Sequence, residues 1–413
     1  MKAIIVGAGV GGLTSALFLN KYGIECEIYE QVPELRELGV GITLQTNAVR
    51  ELGNLDLLPS LHTTGVSSEH LYYLTRRGQP VWDEPRGLAA GHDTPQFFVH
   101  RGRLQSLLYR AVMERLRDGS VHLGHRLASF ARTPDGVEAH FVDRDGSPIA
   151  AATADLLIGA DGIHSTVRRR INPNEGGPRW GGLILWRGAV EWPEFLGGAS
   201  VLIAGGSKCK FVAYPIAPGA TAKTFLTNWV VQASVGTPGS EPPHREDWSQ
   251  PARREDLEPF LGKFTVPQID VRRLIAKTGI FWEYPMCDRD PIEKWSVDRA
   301  ILLGDAAHPM YPMGGNGGSQ AILDAACLAR ELSSQSNLDD SFAAYVQERL
   351  PPTNAIAAAN RTGGPENVID VVEERAPDGF DDIERVMPRA ERETIMGNYA
   401  KQAGYALVRP GGS

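Results

Sequence analysis

Apolar positions at the start of the chain form a short run, Ala3 to Val6, closed by glycine, which predicts a buried strand. A polar–apolar helical pattern follows from Leu13 to about Tyr22. A second strand, Glu25 to Tyr29, ends at Glu30. Two later apolar runs, Leu156 to Ile158 and Ile301 to Leu303, also read as strands that deliver small residues. A helix is predicted from about Ser319 to Leu332. Between these lie Leu183 to Val190, Ser200 to Ile203, Phe211 to Ile216, Thr224 to Val231 and Gly279 to Met286. They are rich in aromatic and β-branched residues, which predicts the strands of a mixed sheet. Leu71 to Trp82 is expected to add strands to it. Residues 234–254 are rich in proline and charge and read as a surface connection. After Pro351-Pro352 the pattern is helical but acidic, and broken at Gly363-Gly364 and Pro377, which fits a helical cap or a mobile tail.

This alternation predicts an α/β protein. A Rossmann-like nucleotide-binding domain takes residues 1–175, with 71–96 joining the neighbouring sheet, and returns at 286–350. An inserted mixed β-sheet domain for substrate takes 176–285. A C-terminal helical segment takes 351–413.

The first turn carries the most specific chemistry. Gly7, Gly9 and Gly12 stand in GAGVGG between the first strand and the first helix, and Glu30 lies 18 residues past Gly12. Gly7 permits a tight turn, Gly9 lets a pyrophosphate approach the backbone, and Gly12 lets helix and strand pack closely. The helix N-terminus then faces the phosphates, and Glu30 accepts from a ribose. A lone glycine pattern is an ordinary loop; with strand, helix and acid in place it reads as a dinucleotide fingerprint, open to NAD and FAD alike.

Two further stretches repeat the strand-to-glycine theme. DLLIGADGIHSTVR (155–168) presents Asp161-Gly162, with Ser165 as a helix N-cap. AILLGDAAHPMYPMGGNGGSQAILD (300–324) presents Gly304-Asp305, a proline-bounded loop, and glycines at 314, 315, 317 and 318 before a helix start suited to an anion. His308 reads as a satisfied loop histidine.

Composition narrows the classes. The 413 residues suffice for two domains, and the formal net charge of −8 leaves no basic footprint for nucleic acid. No apolar run approaches the ~20 residues of a membrane span, and the N-terminus has no signal-peptide pattern. Cys26, Cys209, Cys287 and Cys327 are widely spaced, form no CxxC pair and read as reduced residues of a cytoplasmic enzyme. Neither a metal site nor hydrolytic or thiol-redox chemistry is indicated.

In this order and spacing, the three motifs resemble the single-component FAD-dependent aromatic hydroxylases, over about residues 1–350. His100-Arg101-Gly102-Arg103-Leu104 is similar to that family's Arg-x-x-Leu helix start. The segments LGVGI, VWDEPRG, HRGRLQ, LWRG, AYPI, NWV and YPMCDRDP, with the late glycine loop, resemble the members that hydroxylate phenazine carboxylates. The likeness fades after about residue 360.

The resemblance implies a bound FAD, a transient NADPH or NADH, and O₂. It also implies a small aromatic or heteroaromatic substrate, in some members carboxylated and in some decarboxylated on hydroxylation. Oxygen transfer then runs through a flavin C4a-hydroperoxide, in a monomer or homodimer. By resemblance Gly41 and Arg101 contact FAD, and Asp305 serves its ribityl chain or pyrophosphate. Asp161-Gly162 acts by positioning the chain. The helix start at Gly315-Asn316-Gly317 faces the flavin N1–C2=O edge, with Pro312 at the ring. Trp186, Tyr214, Trp229, Trp282 and Tyr284 fall on strands where large side chains mostly fill space; Trp186 and Tyr214 are the better pocket candidates. Either Lys210 or Arg187 is a cation for a substrate carboxylate, and Asn228 is a hydrogen-bond donor. Rival readings are a flavin halogenase, whose Trp-x-Trp-x-Ile-Pro motif is absent, an enzyme with two dinucleotide domains, and a non-catalytic FAD-binding regulatory or carrier protein.

Overall fold

In the computed structural model, which describes residues 1–37 and 40–406, the first strand is Lys2–Val6 and the first helix Val10–Lys21, followed by strand Glu25–Glu30. These belong to a six-stranded sheet in the order 296–297, 300–302, 156–159, 2–6, 25–30, 121–123, parallel except at the first pair. Lys2–Val6 and Leu156–Gly159 are buried at almost every position, as expected of strands covered on both faces. The Gly317–Ser334 helix and the first helix pack against one another on this sheet.

The expected middle strands form one seven-stranded sheet. Its order is 282–288, 179–193, 224–234, 209–218, 200–204, 70–74, 80–85. Residues 70–85 do join it as a hairpin, and His70–Leu74 pairs in parallel with Ser200–Ala204. Strand alternation gives it two apolar faces. Ile184, Trp186, Phe211, Trp229 and Val231 pack on the short helices Arg254–Leu261 and Val271–Ala276. The opposite face carries Leu185, Tyr214, Tyr284 and Met286 and turns toward the nucleotide-binding sheet. A three-stranded sheet, 41–44, 96–100 and 65–68, lies between the two, and a meander over 126–154 packs beside the first sheet.

The helix Leu338–Arg361 runs through Pro351 and Pro352, where the sequence suggested a new segment. Proline removes a helical donor; next to the pair, the Thr353 hydroxyl donates to the Arg349 carbonyl at 2.8 Å. The described part of the C-terminal segment is a packed cap. Val368, Ile369, Val372, Met387 and Met396 bury against Leu71, Tyr73, Trp82 and Ile203 of the large sheet. No helix among the described residues is long and apolar enough to cross a membrane.

Candidate active site

The three motifs meet because their strands are neighbours. Val6 is paired with Gly159, and Gly159 with Leu302, so all three loops leave the carboxyl ends of adjacent parallel strands. The contacts are close. A Cβ on Gly7 (φ +106°) would lie 2.4 Å from the Ala160 carbonyl, and one on Gly12 would lie 2.0 Å from the Gly7 carbonyl. A Cβ on Gly9 would meet nothing within 4 Å, so that glycine opens onto free space. Glu30 accepts from the Ala8 N–H at 2.7 Å, which fixes the acid against the turn. Gln105 Nε2, which the sequence did not single out, donates to the Ala8 carbonyl at 2.7 Å.

Asp161 works as a cap. Its carboxylate accepts from the Ser165 hydroxyl at 2.5 Å and the Thr166 N–H at 2.7 Å; burial raises its carboxyl and these bonds oppose the rise. Ser165 in turn accepts from the Arg168 N–H at 2.8 Å. Gly162 (φ +75°) makes the turn between them. Arg168 is buried and donates to the carbonyls of Ala306 and Ala307, at 3.2 and 2.6 Å, which ties the second motif to the third.

Asp305 follows Gly304 (φ +60°), whose N–H donates to Asp324 at 3.0 Å. The Asp305 carboxylate stays open to solvent in the floor of the cleft and makes no hydrogen bond among the described residues. The surrounding walls raise its carboxyl, against the pull of His308 and Arg101. His308 Nε2 lies 2.5 Å from Asp324 and its Nδ1 is buried without a partner. Arg349 donates to the other Asp324 oxygen at 2.8 Å. After Pro312, which is exposed, the loop turns at Gly314 and Gly315, both at positive φ. The first helical bond beyond it runs from the Gln320 N–H to the Asn316 carbonyl, at 2.9 Å. The N–H groups of Gly317, Gly318 and Ser319 precede it and have no acceptor in the helix.

The large sheet covers this cleft with its inner face. Arg187 is buried, and no acid pairs with its cation among the described residues. Among the described residues, its Nη2 donates to the Trp248 carbonyl alone, at 3.4 Å, and its Nε has no partner. Burial, with the charge of Arg101, pushes its guanidinium down to about 9, so it remains a cation at neutral pH. Trp248 belongs to the stretch expected to be surface connection. Instead it stacks on Tyr284, with centroids 3.8 Å apart, and lies under Arg187 and Arg101. Asn228 accepts from the Gly41 N–H at 2.9 Å, which orients its amide and leaves Nδ2 as a buried free donor. A Cβ on Gly41 would come 2.6 Å from Cε2 of Tyr214, so Gly41 makes room for that ring, whose hydroxyl burial raises. Leu38 and Gly39 of the LGVGI segment lie outside the described residues.

Two expected pocket residues are elsewhere. Trp186 sits one residue from Arg187 and therefore faces the other side of the sheet. There its indole donates to Glu283 at 2.8 Å and its ring packs on Phe260. Lys210 is on the inner face, but it is held in a buried ion pair with Glu366 of the C-terminal segment. It is therefore no free cation for a substrate.

The "FAD binding domain" family model matches residues 1–360. Phenazine 1,6-dicarboxylic acid hydroxylase PhzS of Lysobacter antibioticus is 41% identical over 87% of this chain and 88% of its own. The chain belongs to the FAD-dependent aromatic hydroxylases. Within that family, 3-hydroxybenzoate 6-hydroxylase 1 of Aquipseudomonas alcaligenes is 31% identical over 87% of both chains. The fold is shared by Klebsiella pneumoniae HpxO complexed with FAD and uric acid, at TM-score 0.76 and 24% identity over 99% of this chain and 98% of that one. Membership sets aside the halogenase and the non-catalytic readings. The residues present fit FAD. Open space at Gly9 and the acid of Glu30 suit the adenosine half, the unbonded Asp305 carboxylate suits hydroxyl groups along the chain, and the free N–H groups at Gly317–Ser319 suit the electron-rich edge of the ring.

Proposed function

We propose that this hydroxylase uses NADPH or NADH and O₂ to oxygenate a planar aromatic or heteroaromatic acid, with Arg187 taking the acid group. One observation carries the reading: a buried guanidinium with no acid beside it among the described residues, on the sheet face that looks into the cleft. An unpaired buried cation is costly, by several kcal/mol, unless a ligand anion completes it. The relatives support the class, since their names include a phenazine dicarboxylic acid, hydroxybenzoates and a hydroxynicotinate.

When bound, FAD supplies electron transfer from the nicotinamide to dioxygen and delivery of one oxygen atom to the ring. The chain's residues do the rest. Arg187 orients the substrate through its carboxylate. Tyr214, with its hydroxyl protonated, and Asn228 Nδ2 offer donors on the same face. Leu185, Tyr284, Met286 and Met313 keep water from the pocket. The N–H groups at Gly317–Ser319 face negative charge that develops on the cofactor side. Asp305 and Arg101, near enough for the cation to act on the carboxyl, hold the cofactor's chain.

The test is to purify the yellow protein and follow nicotinamide oxidation and O₂ uptake. Phenazine carboxylates, hydroxybenzoates and hydroxynicotinates are compared with their decarboxylated counterparts. Acids are expected to stimulate both and to give an oxygenated product, whose mass shows whether the carboxyl group is retained. Bound FAD with equal response to acids and to their counterparts would sink the assignment.

A further inference from the structure

We propose that Tyr399, on the C-terminal helix Arg389–Gln402, is a positioning residue that keeps the first N–H groups of the Gly317–Ser334 helix uncapped and available to the flavin. The inference rests on the reading that the flavin ring lies against this helix start. Tyr399 falls outside residues 1–360 matched by the family model.

An asparagine at a helix N-cap ordinarily has extended backbone and accepts, through its side-chain oxygen, from an N–H two or three residues on. Asn316 occupies that position and makes no such bond. Its backbone is helical, at φ −93° and ψ −24°. Its amide is turned the other way: Nδ2 donates to the Tyr399 hydroxyl at 2.9 Å and to the Gly314 carbonyl at 3.3 Å. The remaining oxygen, Oδ1, is buried with no partner among the described residues. The natural cap is thus present and withheld, at a cost in unsatisfied polar atoms.

Tyr399 is built into this arrangement. It is buried, and its one hydroxyl proton is shared between the Met313 carbonyl at 2.9 Å and Asn360 Oδ1 at 2.8 Å. Asn360 Nδ2 donates to the Tyr311 carbonyl at 2.7 Å, which fixes its own orientation. The ring lies under Gly314, where a Cβ would come 2.6 Å from it. Two side chains therefore hold the loop at Tyr311, Met313 and Asn316. Without the hydroxyl, Asn316 loses the partner that holds its amide, and a turn of its backbone from helical to extended lets Oδ1 cap Gly318 or Ser319, which removes donors from the flavin edge. Loss of those donors falls hardest on the reduced, anionic ring.

The experiment reads the midpoint potential of FAD bound to the purified holoenzyme, with FAD affinity of the apoprotein measured by fluorescence quenching. In Tyr399→Phe, FAD should bind but reduced flavin should be disfavoured relative to oxidised by about tenfold, a shift of ~30 mV to more negative potential for a two-electron couple. Asn316→Ala has no amide to cap with, so adding Tyr399→Phe to it should leave the potential within about twofold of the Asn316→Ala single variant in that ratio. An unmoved potential in Tyr399→Phe, or the same shift when Tyr399→Phe is added to Asn316→Ala, would each overturn the role of Tyr399. A wild-type protein that takes up no FAD would instead overturn the reading of the cleft.

Discussion

The guanidinium of Arg187 lies 3.8 Å from the centre of the Trp248 ring, and the Trp248 carbonyl is its one hydrogen-bond acceptor among the described residues. An indole face favours a cation without neutralising it. The pair therefore keeps a charge buried and available, and several expectations depend on it.

Arg187→Met should separate binding from stability. Removing an unpaired buried charge is expected to leave the unfolding free energy unchanged or raise it by about 1 kcal/mol. Binding of a carboxylated substrate should weaken about 30-fold or more, equivalent to ~2 kcal/mol. Urea unfolding and substrate-induced changes in the flavin spectrum check the two. A variant that loses stability and keeps its affinity for acids would place Arg187 in the scaffold.

Lys210 and Glu366 should show the opposite behaviour. Both are buried and each is the other's partner. Lys210→Met leaves a buried carboxylate and should cost about 3–5 kcal/mol, and Glu366→Leu a similar amount. The double variant should recover most of that loss in the same denaturation assay.

Gly9 and Gly12 differ in what they protect. Gly9→Ala adds a methyl group into open space, at φ −73°, and should leave apoprotein melting unchanged while FAD affinity falls more than about tenfold as the phosphate's approach is blocked. Gly12→Ala drives a Cβ to 2.0 Å from the Gly7 carbonyl and should destabilise the apoprotein itself, by about 3 kcal/mol or more. Thermal unfolding of the two apoproteins decides it.

Asp324 gives a pH signature. Burial works to raise its carboxyl, but His308 and Arg349 override that and hold it at about 2. The folded value is thus below the ordinary ~3.9 of the unfolded chain, so the stabilisation is complete above about pH 4 and is lost as pH falls toward 2. Asp324→Asn, which does not titrate, should be less stable than the wild type at neutral pH. The gap should narrow between about pH 4 and 2 in a series of urea unfolding curves. A gap constant across that window would show that the ionised carboxylate is not what stabilises.

Legibility in the sequence followed the range of the interaction. The glycine turn with Glu30, the Asp161-Gly162 and Gly304-Asp305 turns, the Ser165 cap, and five strands of the large sheet with a further stretch that joins it were readable because backbone conformation and alternation are local. Trp186 and Arg187 mark the limit. Alternation says that adjacent strand residues face opposite ways, yet nothing local says which way is inward; the helices 254–261 and 271–276 settle it by covering the Trp186 face. Gln105 carried no signal beyond its place one turn into the helix after Arg101. Trp248 is marked in the sequence as the single Phe, Trp or Tyr of a proline-rich stretch.

By itself, then, the sequence determined the nucleotide fingerprint and the family, since both rest on backbone geometry that short glycine-containing motifs impose directly. Only the tertiary structure decided which of two cations is free. Lys210 meets Glu366 across 156 residues of chain, whereas Arg187 meets, among the described residues, two aromatic rings and a backbone carbonyl but no acid. A charge's availability depends on the partner that folding brings to it, and that partner has no fixed spacing in the sequence. Likewise, Asn316 stands at the start of the Gly317–Ser334 helix, and what its amide meets is decided by Tyr399, 83 residues later.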